Sequence, residues 1–349
     1  IEVVDSHTVR LNLPAPDISL IPGMADYPAA IVPASYTPDT ALSNPVGTGP
    51  YLPESLEVGV KGVLVRNDNH TWWNEGNGAY MDRVEYIDYG TDPSAFVAAA
   101  EAEEIDMTYS IEGDFIDIFD TLDGWQNNSV VTAATIVIRP NQLAEVDGMQ
   151  PYADKRVRQA LAMAVDNAVL LELGLPERKV DPAAARALME EAGMGDFEHE
   201  LISIDDAWRK DTTDAVAAQL RDAGINVKRT LLPGSTFWND WSKYPFSSTN
   251  WNHRPLGVQV WALAYRSGEA WNEFGWANEE FDGILSEALA TPDVEARREL
   301  MMKGQAIVQD EGVTIQPYWR SLYNHTKEGL VGGEHHISFE IRPEQIAWT

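Results

Sequence analysis

Apolar and polar residues follow two different periods along this chain. In residues 151–174 the apolar positions recur every three to four residues, which is typical of a helix with one buried face. Asp154 is the predicted N-cap of that helix and Gly174 its predicted end. Shorter segments are almost wholly apolar or alternate with a period of two, as strands do. The predicted strands are 2–13, 62–66, 81–89, 105–109, 130–138, 198–204, 225–232, 256–265 and 314–320, and the other predicted helices are 92–104, 181–193, 208–223, 279–290 and 293–310.

The order of these elements predicts an α/β protein with two lobes. Residues 62–109 have the order β-β-α-β, whereas helices and strands alternate after residue 181, which favours a largely parallel sheet there. A chain of 349 residues is also longer than one typical domain. We predict a remnant of an N-terminal subdomain at 1–47, a first lobe at 48–140 that is completed by 316–349, and a second lobe at 141–315.

The charge balance narrows the range of partners. The chain has 25 basic and 55 acidic residues, which gives a net charge of −30. Repulsion from phosphate argues against nucleic acids and anionic lipids as partners. We interpret the surplus of acids as a means of solvation in a salty environment, with attraction of cationic ligands as the alternative. The chain has no cysteine, which excludes disulfides and cysteine-based zinc sites.

The sequence contains no motif that indicates catalysis or metal binding. A GxSxG serine elbow is absent, and the histidines are scattered apart from His335 and His336, a pair typical of solvated surface. Adjacent acids such as Glu103 and Glu104 are expected by chance in so acidic a chain and are interpreted as solvated surface. We predict no catalytic residue, no metal site and no cofactor.

Four motifs in a fixed order give a family resemblance. They are NPVGTGPY at 44–51, the pair Trp72 and Trp73, DKRVRQALAMAVD at 154–166 and DPAAARALMEEAG at 181–193. Together they resemble the family 5 extracellular solute-binding proteins, the oligopeptide and dipeptide receptors of ABC importers, along the whole chain. The resemblance implies a type II, cluster C-like periplasmic binding protein fold with a ligand cleft between two lobes.

The resemblance also implies partners and a location. We expect a small-molecule solute, peptide or other polar compound, and ABC permease subunits in the membrane as partners of a monomer that is periplasmic, or extracellular and membrane-associated. Two departures from the family pattern are visible. Members carry roughly a further lobe of sequence before the strand that 2–13 matches, so we expect an N-terminal region to be missing, and a Pro-rich loop is reduced to about six residues at 175–180.

Tryptophans concentrate in one part of the chain. Residues 238–276 contain six of the twelve, and tryptophan combines a large apolar face with one N–H donor, which suits the wall of a semi-polar pocket. Core packing is the alternative for many of them. The family uses this region for ligand contacts, and the crossing after residue 139 is expected to line the cleft. The predicted ligand-binding residues are Asn141, Gln142, Trp251, His253, Arg254, Trp261, Tyr265, Arg266, Glu269, Trp271 and Asn272.

One departure bears on the ligand. Peptide receptors of the family commonly carry an acidic residue just after the segment that 256–265 resembles, whereas Tyr265 and Arg266 occupy that point here. Arg266 with Arg254 is suited to holding a carboxylate or phosphate by paired hydrogen bonds. The alternative is that Arg266 is a surface arginine or part of an internal salt bridge.

These observations favour the substrate-binding component of an ABC transporter, and not an enzyme. It would capture a small polar solute, peptide-like or other, including one that bears a carboxylate, and deliver it to a permease. A ligand sensor or chemoreceptor adaptor of the same fold is the alternative, and a hydrolase that acts on glycans or peptides is a less favoured one.

Overall fold

The computed structural model describes residues 1–26, 29–40, 43–167 and 180–349. The predicted helix end at Gly174 and most of the short link at 175–180 lie outside these residues. The strands are β1 Glu2–Asp5, β2 Thr8–Arg10, β3 Tyr51–Glu57, β4 Lys61–Arg66, β5 Arg83–Ile87, β6 Trp125–Pro140, β7 His199–Ile204, β8 Val227–Leu232, β9 Phe246–Trp251, β10 Trp319–Lys327, β11 Leu330–Val331 and β12 Ala347–Trp348. The helices are α1 Leu20–Gly23, α2 Pro93–Glu101, α3 Phe115–Asp120, α4 Lys155–Met163, α5 Pro182–Glu191, α6 Ala207–Asp222, α7 Gly234–Phe237, α8 Gly257–Val260, α9 Glu279–Leu289 and α10 Val294–Asp310.

The chain forms two compact units. The first unit contains Ile1–Ala30, Ile136–Asp205 and Arg209–Tyr318, and the second contains Ile31–Thr135, Asp206–Trp208 and Trp319–Thr349. Strand β6 begins in the second unit and ends in the first, so its two ends belong to different units.

The first unit is built on parallel strands. The end of β6 is followed across the sheet by β9, β7 and β8. β7 pairs in parallel with β8 along its whole length and in parallel with β9 at Ile202 and Ser247. Helix α6 packs its buried residues Val216 and Leu220 into the core. The parallel sheet predicted from the alternation of helices and strands is therefore confirmed.

Helix caps in the first unit follow the sequence closely. Asp154 accepts a hydrogen bond from the backbone N–H of Arg156 at 2.8 Å and begins α4, whose residues Val157 and Leu161 are fully buried. Asp181 caps α5 in the same way, through the N–H of Ala184 at 2.9 Å. The predicted starts of both helices are confirmed.

The second unit is mainly antiparallel. β3, β4 and β5 form a three-stranded sheet in that order, and the first half of β6 pairs with β10. Helices α2 and α3 cover a small apolar core around Ala100, Ile111 and Phe119. The predicted strand at 105–109 is wrong, because this segment makes only the single bridge between Met107 and Thr326.

The largest correction concerns residues 256–265, which were expected to form a strand. They form α8 and then one turn of π-helix, Trp261–Tyr265. The buried side chains of Val258, Ala264 and Tyr265 are spaced for a helix and not alternately. An apolar run of this length is compatible with either structure, and the packing around it decides.

Other predicted elements are shorter or differently placed. The strand expected at 2–13 is a hairpin of β1 and β2, turned at Ser6 and His7. The return strand expected at 314–320 begins only at Trp319. No strand was predicted between residues 232 and 256, but Phe246–Trp251 forms strand β9, whose polar residues Ser247, Ser248 and Thr249 are almost fully buried.

Candidate functional site

All eleven predicted ligand-binding residues lie in the first unit, on three segments. Asn141 and Gln142 follow β6 directly, and Trp251 ends β9. His253 and Arg254 come just after β9, with His253 half-buried. The third segment runs from the π-turn into the loop at 266–276. It carries Trp261, Tyr265, Arg266, Glu269, Trp271 and Asn272.

The segment after β6 lies directly against the loop at 266–276. The N–H of Gln142 donates to the carbonyl oxygen of Phe274 at 2.8 Å. Gly275 has a φ of +57°, and a Cβ there would lie 2.5 Å from Asn141 Oδ1. Only glycine adopts this positive φ and allows so close an approach of Asn141 without strain. The structure therefore brings Asn141 and Gln142 together with the loop.

The loop itself is closed by one side chain. Asn272 Nδ2 donates to the carbonyl oxygens of Arg266 at 3.0 Å and Trp276 at 2.8 Å, and its Oδ1 accepts from the N–H of Trp276 at 3.3 Å. The ends of the loop are thereby fixed to each other. Asn272 is accordingly engaged in holding the loop.

The two predicted arginines have different surroundings. The side chain of Arg254 is only 8% exposed, and its Nε lies 2.9 Å from Asp26 Oδ2. Its guanidinium also lies over the ring of Trp251, at 5.8 Å from the ring centre. Arg266 keeps 34% of its side chain exposed and lies 3.7 Å from Glu269, a distance typical of a weak surface pair. Of these two cations, Arg266 is the more accessible.

Four tryptophans form a continuous row in the first unit. Successive ring centres are 6.2 Å apart between Trp238 and Trp241, 6.3 Å between Trp241 and Trp251, and 5.9 Å between Trp251 and Trp271. Trp251 is buried, and its indole N–H donates to Glu273 Oε1 at 2.8 Å. The third tryptophan of the row is thus held by a hydrogen bond to a buried carboxylate.

Trp261 and Tyr265 belong to the apolar core. The ring of Trp261 lies 5.0 Å from that of Phe281, and the ring of Tyr265 lies 4.5 Å from that of Phe274. Tyr265 is 5% exposed, and burial raises the pKa of its hydroxyl. Tyr265 thus packs against the loop at 266–276, and Trp261 packs against helix α9.

Sequence reasoning missed a buried ion pair at the centre of this region. Arg139 and Glu273 are both fully buried, and Arg139 Nε lies 2.6 Å from Glu273 Oε2. Burial lowers the pKa of the Arg139 guanidinium, and the adjacent carboxylate opposes that shift. The only sequence signal was the position of Arg139 at the chain crossing, since neither residue lies in a motif.

One cavity, in the second unit, contains none of these residues. It is a groove of about 1040 Å³ over β3, β4 and β5, lined mainly by apolar side chains such as Leu64, Tyr86 and Ile346. Charged residues such as Lys61, Glu85 and Asp88 also line it. The predicted ligand-binding residues all lie in the first unit.

The described residues contain neither a cluster suited to a metal ion nor a helix suited to spanning a membrane. Among the described residues, no group of three or more His, Cys, Asp or Glu side chains is arranged to hold a metal ion. Within residues 1–26, 29–40, 43–167 and 180–349, every helix is too short or too polar to cross a bilayer.

Comparison with known proteins identifies the family. Residues 1–176 match the model described as bacterial extracellular solute-binding proteins, family 5 Middle. The chain belongs to this family. The resemblance stated from the four motifs is therefore confirmed.

Curated and solved relatives of this family 5 protein agree with the match. The dipeptide-binding protein DppE of Bacillus subtilis is 22% identical over 94% of the chain and 66% of its own length. The chain thus spans about two thirds of the length of that relative. Periplasmic binding protein DppA of Helicobacter pylori, solved with the peptide STSA, has a TM-score of 0.84 at 17% identity over 99% of the chain and 73% of its own.

A third relative shows that ligands other than peptides occur on this fold. The binding protein AgaA of A. tumefaciens R10, solved with agropinic acid, has a TM-score of 0.79 at 19% identity, over 97% of the chain and 75% of its own. Each of these relatives is described as a binding protein. The structural likeness confirms the predicted α/β class and type II periplasmic binding protein fold.

Proposed function

We propose that this chain is the substrate-binding component of an ABC importer, located in the periplasm or outside the cell, which captures a small polar solute and delivers it to a membrane permease. Membership of the family 5 solute-binding proteins is the observation that carries the proposal. The names of DppE, DppA and AgaA support a role in binding, and the chain is proposed not to be an enzyme.

The proposed solute bears a carboxylate, either the end of a short peptide or an organic acid. Arg266 supports this class, because its guanidinium is partly exposed and its only close acid among the described ion pairs is Glu269 at 3.7 Å. A planar guanidinium binds a carboxylate through two parallel hydrogen bonds. Asn141 and Gln142 on the neighbouring segment after β6, and Trp271 on the same loop as Arg266, are proposed to complete the polar and aromatic surroundings.

A binding screen tests the solute class. Thermal shift followed by calorimetric titration would compare free di- and tripeptides, the same peptides with an amidated C-terminus, and small organic acids. We expect the free carboxylates to bind and the amides to bind more weakly. Recovery of the bound compound unchanged after prolonged incubation is expected, because we propose no chemistry. A screen in which no compound of any class shifts the transition would contradict the proposal.

Arg266→Gln tests the residue that we propose to hold the carboxylate. Loss of charge-assisted hydrogen bonds should weaken binding roughly 10- to 100-fold, with little change in stability. Arg298→Gln is the matched control, since Arg298 is 62% exposed on helix α10 and pairs with Glu295 on the same helix. An affinity that is the same in both variants would rule out Arg266 as the carboxylate ligand.

A further inference from the structure

Arg139 and Glu273 form an ion pair that is shielded completely from solvent. Both side chains are 0% exposed, and the nearest charged atoms are 2.6 Å apart. Removing two charges from water costs much of the energy that their attraction returns, so such a pair is weak evidence of added stability. Added stability therefore does not explain why this pair is buried, and its contacts point to a different role.

Each member of the pair also binds other segments of the chain. Arg139 Nη1 donates to the carbonyl oxygens of Glu273 at 2.7 Å and Tyr244 at 3.2 Å, and Nη2 donates to that of Trp241. Glu273 Oε2 accepts from Thr249 Oγ1 at 2.6 Å. Together with the indole N–H of Trp251 on Oε1, these bonds connect Arg139 to residues 241–245 and Glu273 to strand β9.

The bonded segments are those that carry the candidate site. Asn141 lies two residues after Arg139, and its N–H donates to the carbonyl oxygen of Pro245 at 2.8 Å. Asn272 immediately precedes Glu273, and Trp251 bonds to the carboxylate directly. The pair therefore joins the end of β6, residues 241–245, strand β9 and the loop at 266–276 at a single point.

We infer that Arg139 and Glu273 are the positioning residues of the solute site. They set the distance between the segment after β6, the end of β9 and the loop at 266–276, and they act on the solute only through those segments. That these three segments form a solute site rests on the proposed function. The relative position of the segments can be measured without any solute.

Glu273→Gln tests the inference in the ligand-free protein. The change keeps the shape of the side chain but removes the charge that pairs with Arg139. We expect amide hydrogen exchange to show protection at Asn141, Gln142 and Gly275 falling about 10-fold relative to amides of β7 and β8. In protein labelled with 5-fluorotryptophan, the resonance of Trp251, assigned with Trp251→Phe, should also shift, because its indole N–H loses a carboxylate acceptor.

Glu311→Gln is the matched control. Glu311 pairs at 2.9 Å with Arg158, which is only 2% exposed and lies in the same unit. A general loss of stability would lower protection in both variants alike, whereas positioning predicts the relative loss only for Glu273→Gln. Equal exchange ratios in the two variants, or an unmoved Trp251 resonance, would overturn the inference.

Thr249→Val decides the question if Glu273→Gln does not fold. It removes one hydrogen bond to Glu273 Oε2 and leaves the ion pair intact, so a smaller change at the same amides is expected. Unchanged protection there would also overturn the inference. If the exchange and fluorine changes occur as expected but no solute binds in the screen, the proposed function is overturned. The role of the ion pair in placing the segments would then still stand.

Discussion

His199 shows how burial alone sets the chemistry of a single residue. Its ring is fully buried on β7, 4.9 Å from the ring of Phe197, and its Nδ1 lies 3.2 Å from the hydroxyl of Tyr152. Burial disfavours the charged imidazolium and lowers the pKa of His199 to about 4. The residue is therefore a neutral part of the core at physiological pH.

Lowering the pH should destabilise the protein through His199. The imidazole of an unfolded chain titrates near pH 6.5, whereas the folded one stays neutral to about pH 4. Protons therefore favour the unfolded state between these values, and stability present above pH 6.5 is lost as the pH falls towards 4, by up to roughly 3 kcal/mol. The measurement is the free energy of unfolding of wild type and His199→Gln between pH 4.5 and 7.5. If the free energy of unfolding of the two proteins changed with pH by the same amount, this account would be contradicted.

At the scale of the element, the π-turn Trp261–Tyr265 sets the position of Arg266 at the start of the loop. The N–H of Arg266 donates to the carbonyl oxygen of Trp261 at 3.0 Å, which is the five-residue spacing of a π-helix. The chain then becomes extended at Arg266, with ψ at 140°. The turn is held by the ring of Trp261, which lies against Gly304 of helix α10: a Cβ there would lie 2.6 Å from the ring.

Gly304→Ala should destabilise the protein although alanine favours helices. The added methyl would overlap the Trp261 ring, and overpacking of a closed site costs typically 1–3 kcal/mol, against a helix gain of about 1 kcal/mol. The control is Gly283→Ala in helix α9, where no atom lies within 4 Å of the new Cβ and stability should rise by roughly 0.5–1 kcal/mol. Urea denaturation of both variants measures the difference. Stabilisation by both substitutions would show that Trp261 moves freely.

Local signals explain which elements the sequence predicted. Asp181, Pro182 and Gly193 mark the ends of one helix by their own chemistry, and Gly193 indeed has a φ of +74°. Strand β9 was missed because three of its buried positions are two serines and a threonine. The hydroxyls of Ser248 and Thr249 have tertiary partners, as in the bond from Thr213 Oγ1 to Ser248 at 2.8 Å and the bond from Thr249 to Glu273. Such partners are distant in sequence and leave no local pattern.

The candidate site was predictable only in part for the same reason. The clustering of tryptophans and the chain crossing indicated the segments around Asn141, Trp251 and Asn272. Two contacts at the site join residues more than 130 positions apart in sequence. They are the pairing of Arg254 with Asp26 and the binding of Arg139 to Glu273. Which charges are buried is decided by the fold as a whole.

At the scale of the whole molecule, the surplus of acids should make stability depend on salt. The net charge of −30 leaves carboxylates that no internal cation can neutralise, and their mutual repulsion opposes the compact state. Salt also weakens favourable surface pairs such as Lys228 with Glu200, but those contribute little.

Raising NaCl from about 0.05 to 1 M shortens the screening length to about 3 Å. Tm should therefore rise by about 2 °C or more, the shift expected for roughly 1 kcal/mol in a chain this large. Equal effects of NaCl and KCl would indicate screening, whereas a constant or falling Tm would show that repulsion between the acids does not limit stability.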